Sequence, residues 1–203
     1  MPLSTKTEIN ALLQRAGVTA ETTAAVMDID GMLQHWRRRA MKRELGNRAL
    51  IDLKIDIDLA QLDVLSAIAG PAPEFGDSQG ETMVGTVADR LAIDPSRASR
   101  LVSEMVDRGF ARRAVSQADA RRTIIELTAQ GEAVVDAVRA YKYLILGDFL
   151  GTWSPEDIAA FVPLLKRFSR WTDGIDAVTD RHGPEIDELI EAIAMAGKVP
   201  EEV

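Results

Sequence analysis

Apolar residues return every three or four positions along most of this chain, and alternate with polar ones in only three short stretches. Thr5-x-x-Glu8 forms a capping box ahead of a stripe at Ile9, Leu12, Leu13 and Ala16, closed by Gly17, which predicts a short first helix. Thr19 caps a long helix from about Ala20 to Leu45, ended by Gly46, with Ile29, Met32, Leu33, Trp36 and Ala40 on one side. Ile51, Leu53, Ile55 and Ile57 then alternate with charged residues. Because Asp58-x-x-Gln61 opens a helix at once, this stretch reads as an extended connector whose isoleucines plug into the core. The helix from Leu59 to Ala69 carries Leu62, Leu65 and Ile68. Gly70 to Gly80 is a loop by composition, with Phe75 as its one large apolar residue, suited to pin the loop to the body.

The stretch from Thr86 to Gly131 is the most structured in its pattern. Two short helices are separated by Ala92-Ile93-Asp94-Pro95, where Asp94 is a good N-cap and Pro95 takes the first helical position. The second helix has Ala98, Leu101, Val102, Met105 and Val106 on one face, and Ser96, Arg97, Arg100, Ser103 and Arg108 on the other, before Gly109 ends it. Ala111–Ser116 and Thr123–Leu127 follow as two strand-like segments joined by Gln117-Ala118-Asp119-Ala120-Arg121-Arg122, a hairpin with a basic tip. Thr128 caps a helix to about Phe149, and Ser154-x-x-Asp157 with Pro155 starts another to about Asp173, with Pro163 as a candidate kink. Gly183-Pro184 opens the last helix. Arginines and serines on an exposed helical face suit base edges and phosphates, although ordinary solvated helices also carry them.

The helix pair followed by the basic-tipped hairpin is the arrangement of a winged helix, and it resembles the MarR family of transcription regulators. The resemblance rests on DPSRASRLVSEMVDRGFARR, on Asp119-x-Arg121, on Leu127-Thr128-x-x-Gly131, and on the upstream Leu59-x-x-Leu62-x-x-Leu65. It runs in order over about residues 30 to 175, with a loop at 70–80 longer than the family pattern and an added N-terminal helix. It implies a mainly α fold with a small β-wing: a winged helix-turn-helix DNA-binding lobe over 51–131 and an all-helical dimerisation region formed by 1–50 and 132–203. It implies double-stranded DNA as partner, through a pseudo-palindromic operator read by a homodimer. Ser96, Arg97, Ser99 and Arg100 are the expected major-groove residues. Arg121 and Arg122 are the wing residues for the minor groove, with Asp119 orienting the arginine. Family members respond to small aromatic or phenolic acids, and His35, Trp36 and Arg39 on the long second helix are the candidate ligand residues; Trp36 also lies on the apolar stripe, where core or dimer packing is the more frequent role.

Charge sharpens this picture. The chain of 203 residues has a net charge of −8, which as an average disfavours nucleic acid. By segment, Met32–Arg48 has six basic residues against one acidic, and Thr82–Gly131 eight against six, whereas Glu132–Val203 has seven against fourteen. Positive charge is thus kept where DNA is expected. There is no cysteine, which excludes a disulfide scaffold, a cysteine zinc site and a thiol switch. No apolar run approaches the roughly 18 residues of a membrane span and the N-terminus lacks a secretory h-region, so a soluble, cytoplasmic protein is expected. Two histidines, no Gly-rich phosphate loop and no nucleophile elbow argue against an enzyme, and no cofactor is expected. The competing reading is a winged helix used only for protein–protein contact; a basic wing tip is what that reading does not require.

Overall fold

The computed structural model describes residues 6–70 and 80–197. The Thr5 capping residue and Phe75 with its loop therefore lie outside the described residues. Contacts divide the chain into two units, one of residues 1–41 with 154–203 and one of residues 42–153.

The second unit is built around α4 (Leu59–Ala69). Asp58 caps it through the backbone amide of Gln61 at 2.8 Å, while the Gln61 side chain accepts from the Asp58 amide at 3.1 Å, the expected capping box. Leu62, Val64, Leu65, Ala67 and Ile68 are all buried, so this helix is apolar around most of its circumference. Such a helix must be covered on several sides. It touches α5 (Val84–Leu91), α6 (Pro95–Asp107), α7 (Ala129–Leu150) and the second strand of a hairpin. That hairpin pairs β1 (Ala111–Val115) antiparallel with β2 (Thr123–Leu127), Ala111 opposite Leu127 and Val115 opposite Thr123. Thr82 extends the sheet edge, its carbonyl accepting from the Ile125 amide at 2.7 Å. Ile124 and Ile125 are both buried, on opposite faces of a strand covered on two sides.

The stretch before α4 departs from expectation. The long helix α2 (Ala20–Lys42) ends before Leu45; Arg43 follows in the left-handed region at φ 53°, and α3 (Glu44–Asp52) begins directly after it. Gly46 is thus inside a helix and caps nothing. A Cβ there would stand 3.1 Å from Leu59 Cδ2, so its smallness serves α3–α4 packing. The Arg43 guanidinium binds the Asp63 carboxylate and the Leu59 carbonyl, and these contacts hold the unfavourable backbone conformation. The expected extended connector is correspondingly short. Ile51 is helical and 68% exposed, and only Ile55 and Ile57 turn inward, while Ala49 and Leu50 of α3 reach the core instead. The alternation carried no strand because no neighbouring strand offers it a hydrogen-bonding edge. Tyr141 of α7 donates to Asp52 Oδ2 at 2.7 Å, beside Arg48 Nε at 2.9 Å, and so ties α3 to α7.

In the other unit, α1 (Lys6–Arg15) is joined to α10 (Gly183–Ala196) by the Arg15–Glu188 ion pair at 2.6 Å. Helix α8 (Pro155–Phe168) is capped by Ser154 as expected and runs through Pro163, but stops five residues short of Asp173. A separate helix that the pattern did not predict, α9 (Ile175–Arg181), follows a glycine at φ 75°. Helices α8, α9 and α10 bury no residue, and Val162, Leu164, Trp171, Ile190 and Ile193 are exposed.

Candidate nucleic-acid interface

The turn between α5 and α6 is made by Ala92 at φ 51°, after which Asp94 caps α6 by accepting from the Arg97 amide at 2.9 Å. Ala98, Val102 and Met105 are fully buried beneath the helix. That anchorage forces Ser96, Ser99, Arg100 and Ser103 onto the outward face, with Arg97 on its flank. Ser96, Arg97, Ser99 and Arg100 are exposed, and no side-chain hydrogen bond or ion pair engages either arginine among the described residues. Replacing Asp94 by alanine is expected to cost about 1 kcal/mol of stability, the usual loss of an N-cap, seen as a lower urea midpoint with unchanged m-value.

Arg108, which the helical pattern put on the same polar face, is used differently. Its guanidinium binds the Asp56 carbonyl and Gln61 Oε1, the latter at 3.0 Å, and lies 5.5 Å from the Phe110 ring centre. It clamps the end of α6 to the start of α4. The wing is tied to α6 as well, since Arg113 of β1 donates to Ser103 Oγ at 3.0 Å. Arg112 pairs with Glu126 across the hairpin at 2.8 Å. Both strand arginines are therefore spoken for, leaving the tip.

At the tip, Asp119 Oδ1 accepts from the backbone amide of Arg121 at 3.0 Å, and Asp119 Oδ2 lies 3.5 Å from Arg122 Nε. The aspartate thus orders the backbone under Arg121 and pairs with the side chain of its neighbour. Arg121 is exposed, and its guanidinium has no partner among the described residues.

Pattern reading overlooked four residues here. Arg90 Nη1 donates to the Ala67 carbonyl at 2.5 Å and to Thr82 Oγ1 at 3.2 Å, fastening α5 to the end of α4. Glu81 accepts from the Ser116 hydroxyl and, at 2.8 Å, from the Gln117 amide; Ser116 Oγ in turn accepts from the amides of Ala118 and Asp119 at 3.1 and 3.0 Å. No local signal marks Glu81, because its partners lie 35 and 36 residues away. The Ser116 hydroxyl, with help from the Gln117 and Ala118 amides and the Arg122 charge, holds the Glu81 carboxyl below its ordinary value despite partial desolvation. A depressed carboxyl pKa contributes stability that is present above the unfolded value near 4.5 and is lost as pH falls through the lower folded value. The melting-temperature difference between the wild type and Glu81→Gln should accordingly be flat near neutrality and shrink below about pH 4.5.

The candidate ligand residues lie on α2. His35 and Trp36 line an open groove of about 420 Å³ with Met27, Asp28, Gly31 and Met32; Arg39, on the same helix, does not line it. All of the groove's lining belongs to this one helix. Among the described residues, no cluster of three or more His, Asp or Glu is placed to hold a metal ion, and no helix is long and apolar enough to cross a membrane.

Helices α5 and α6 with the β1–β2 hairpin define a winged helix-turn-helix lobe. Residues 55–122 match the model of the MarR family, a stretch that contains α5, α6 and β1. Among solved structures, the chain resembles a MarR family protein from Bacillus stearothermophilus with a TM-score of 0.59 at 20% identity, over 75% of this chain and 97% of that one. It resembles S. aureus MepR bound to ethidium bromide with a TM-score of 0.51 at 20% identity, over 66% and 92%. The YusO protein from Bacillus subtilis gives 0.51 at 19% identity, over 75% and 99%. At these identities the likeness is one of fold. No curated protein matches the chain by sequence.

Proposed function

We propose that this chain is a dimeric, sequence-specific DNA-binding transcription regulator, a repressor that a small ligand releases from a pseudo-palindromic operator. Helix α6 enters the major groove with Ser96, Arg97, Ser99 and Arg100, and Arg121, with Arg122 beside it, enters the adjacent minor groove. The observation that carries this reading is the free arginine pair on α6. Arg108, Arg112 and Arg113 are each bound within the lobe, whereas among the described residues Arg97 and Arg100 present unengaged guanidinium groups beside a wing whose Arg121 is also unengaged. Such forks suit guanine edges and phosphates. A winged helix serving only protein contact would have no use for them.

Dimerisation by a second copy fits the apolar surface. Tyr143, Leu144, Leu146 and Phe149 of α7 are each more than half exposed, as are several apolar residues of α8 and α10. Two lobes related by a dyad would read half-sites about 34 Å apart. The ligand half of the reading rests on His35 and Trp36 sharing one groove of α2. An aromatic ring beside cationic donors, with Arg39 one turn further along, suits a planar aromatic anion.

The test is the salt dependence of binding to duplex DNA. Contacts to about 6–10 phosphates would weaken binding roughly 10³- to 10⁵-fold between about 50 and 200 mM salt, with two chains bound per operator. Retention that ignores salt, or its absence at low salt, refutes the proposal.

A further inference from the structure

The wing turn is ordered by a residue outside the wing. Ser116 is 4% exposed, and its single oxygen takes two turn amides while its proton goes to Glu81. The second Glu81 oxygen takes the Gln117 amide, so one carboxylate closes the base of the turn at 117–122. The next residue, Thr82, is hydrogen-bonded to β2 and, through its hydroxyl, to the Ile68 carbonyl of α4. Glu81 is therefore held by the body of the lobe and transmits that fixity to the hairpin tip. The two tip arginines fare differently. Arg122 faces Asp119 at 3.5 Å and lies within the field of Glu81, while Arg121 has its amide bound by Asp119 and its guanidinium free among the described residues.

We propose that Glu81 is a positioning residue for DNA recognition: through Ser116 and Gln117 it sets the wing turn so that Arg121 projects toward the minor groove and Arg122 stays at the base as a counter-charge. The proposal rests on the DNA-binding reading above. It carries an unusual sign. Glu81 is an anion on a DNA-facing lobe, so charge alone would make its removal strengthen binding. Positioning makes its removal weaken binding, because Arg121 is no longer held where narrow A·T tracts concentrate negative potential.

The experiment uses the full chain and two length-matched duplexes, one containing A·T tracts and one G·C-rich, followed by fluorescence anisotropy at fixed salt. The wild type should favour the A·T duplex. Glu81→Ala and Ser116→Ala should each lose about tenfold on that duplex, together with the preference, the scale of one well-placed contact. Arg121→Ala should do the same, and the Glu81→Ala/Arg121→Ala double variant should be no worse than either single one, as expected of residues acting through one another. Glu81→Gln keeps a carbonyl oxygen for the Gln117 amide and should recover most of the affinity. Arg122→Ala should lose less than Arg121→Ala. Amide hydrogen exchange at Gln117, Ala118 and Asp119 should accelerate in Glu81→Ala by more than its fall in melting temperature accounts for, while the core amides of α4 and α6 follow that fall alone. Glu81→Ala binding as tightly as the wild type or more so, with its A·T preference kept, overturns the proposal. So does unchanged exchange at the wing. A wild type that binds neither duplex at low salt removes the DNA reading itself, and with it this proposal, an outcome distinct from failure of the Glu81 contacts alone.

Discussion

Gly131→Ala should be the most damaging glycine-to-alanine substitution among the described residues. A Cβ at Gly131 would stand 2.0 Å from the Phe110 carbonyl oxygen, 3.1 Å from the Phe110 carbonyl carbon and 3.2 Å from Leu127 Cδ2. The carbonyl cannot step aside, because it accepts the Thr128 amide at 3.0 Å, and the Phe110 amide is itself bound to the Met105 carbonyl at 2.9 Å. Thr128 adds a third tie, donating from Oγ1 to the Gly109 carbonyl at 2.6 Å and accepting from the Gly131 amide at 3.3 Å. The end of α6, the start of the wing and the first turn of α7 thus meet at one point with no room for a side chain. Overpacking typically costs about 1–3 kcal/mol where side chains can shift; against bonded backbone, about 3 kcal/mol or more is expected. That would lower the melting temperature by roughly 10 °C or more. Gly85→Ala is the contrast, since a Cβ there meets nothing within 4 Å and alanine favours the helix. It should leave stability unchanged or raise it by up to about 1 kcal/mol. Calorimetry on both variants checks the pair, and a Gly131→Ala protein that melts with the wild type would discredit the packing described here.

The second large effect is expected in binding and not in stability. Arg97→Ala and Arg100→Ala remove exposed side chains that hold nothing within the lobe, so the unfolding free energy should change by less than about 0.5 kcal/mol. On the proposed reading, each should cost about 1–3 kcal/mol of operator affinity if the guanidinium reads a base, and the sequence preference should relax at that position. If an arginine meets only phosphate, affinity should fall equally on all duplexes and the salt slope should drop by about one. Footprinting and anisotropy on wild type, singles and double separate these cases. Arg108→Ala provides the opposite signature, losing stability through its ties to Asp56, Gln61 and Phe110. Full operator affinity in the Arg97/Arg100 double variant would remove α6 as the reading element.

What could be read from the chain alone follows the range of the interactions involved. Asp58, Asp94, Thr128 and Ser154 each cap a helix through the amide three residues on, so those starts are legible in four-residue windows. The face of α6 is equally local, because helical spacing alone sorts Ala98, Val102 and Met105 from Ser96 and Arg100. The alternation at 111–116 and 123–127 marked the hairpin that forms; the same period at 51–57 did not make a strand, and only the presence or absence of a pairing edge separates the two cases. The break of α2 at Arg43 was hidden too, since a left-handed arginine is held by the Leu59 carbonyl and Asp63, sixteen and twenty residues away. Gly131 stood in the sequence as part of a motif, and its reason emerged only when Phe110 was brought against it. Glu81 carried no mark at all. Pattern marked the capped helix starts and the apolar side of α6, because those depend on neighbours within one turn, but it left α9 and the helical state of Ile51 unmarked. Tertiary structure decided which arginines are bound and which are free, because a guanidinium's partner can come from any part of the chain that packing delivers.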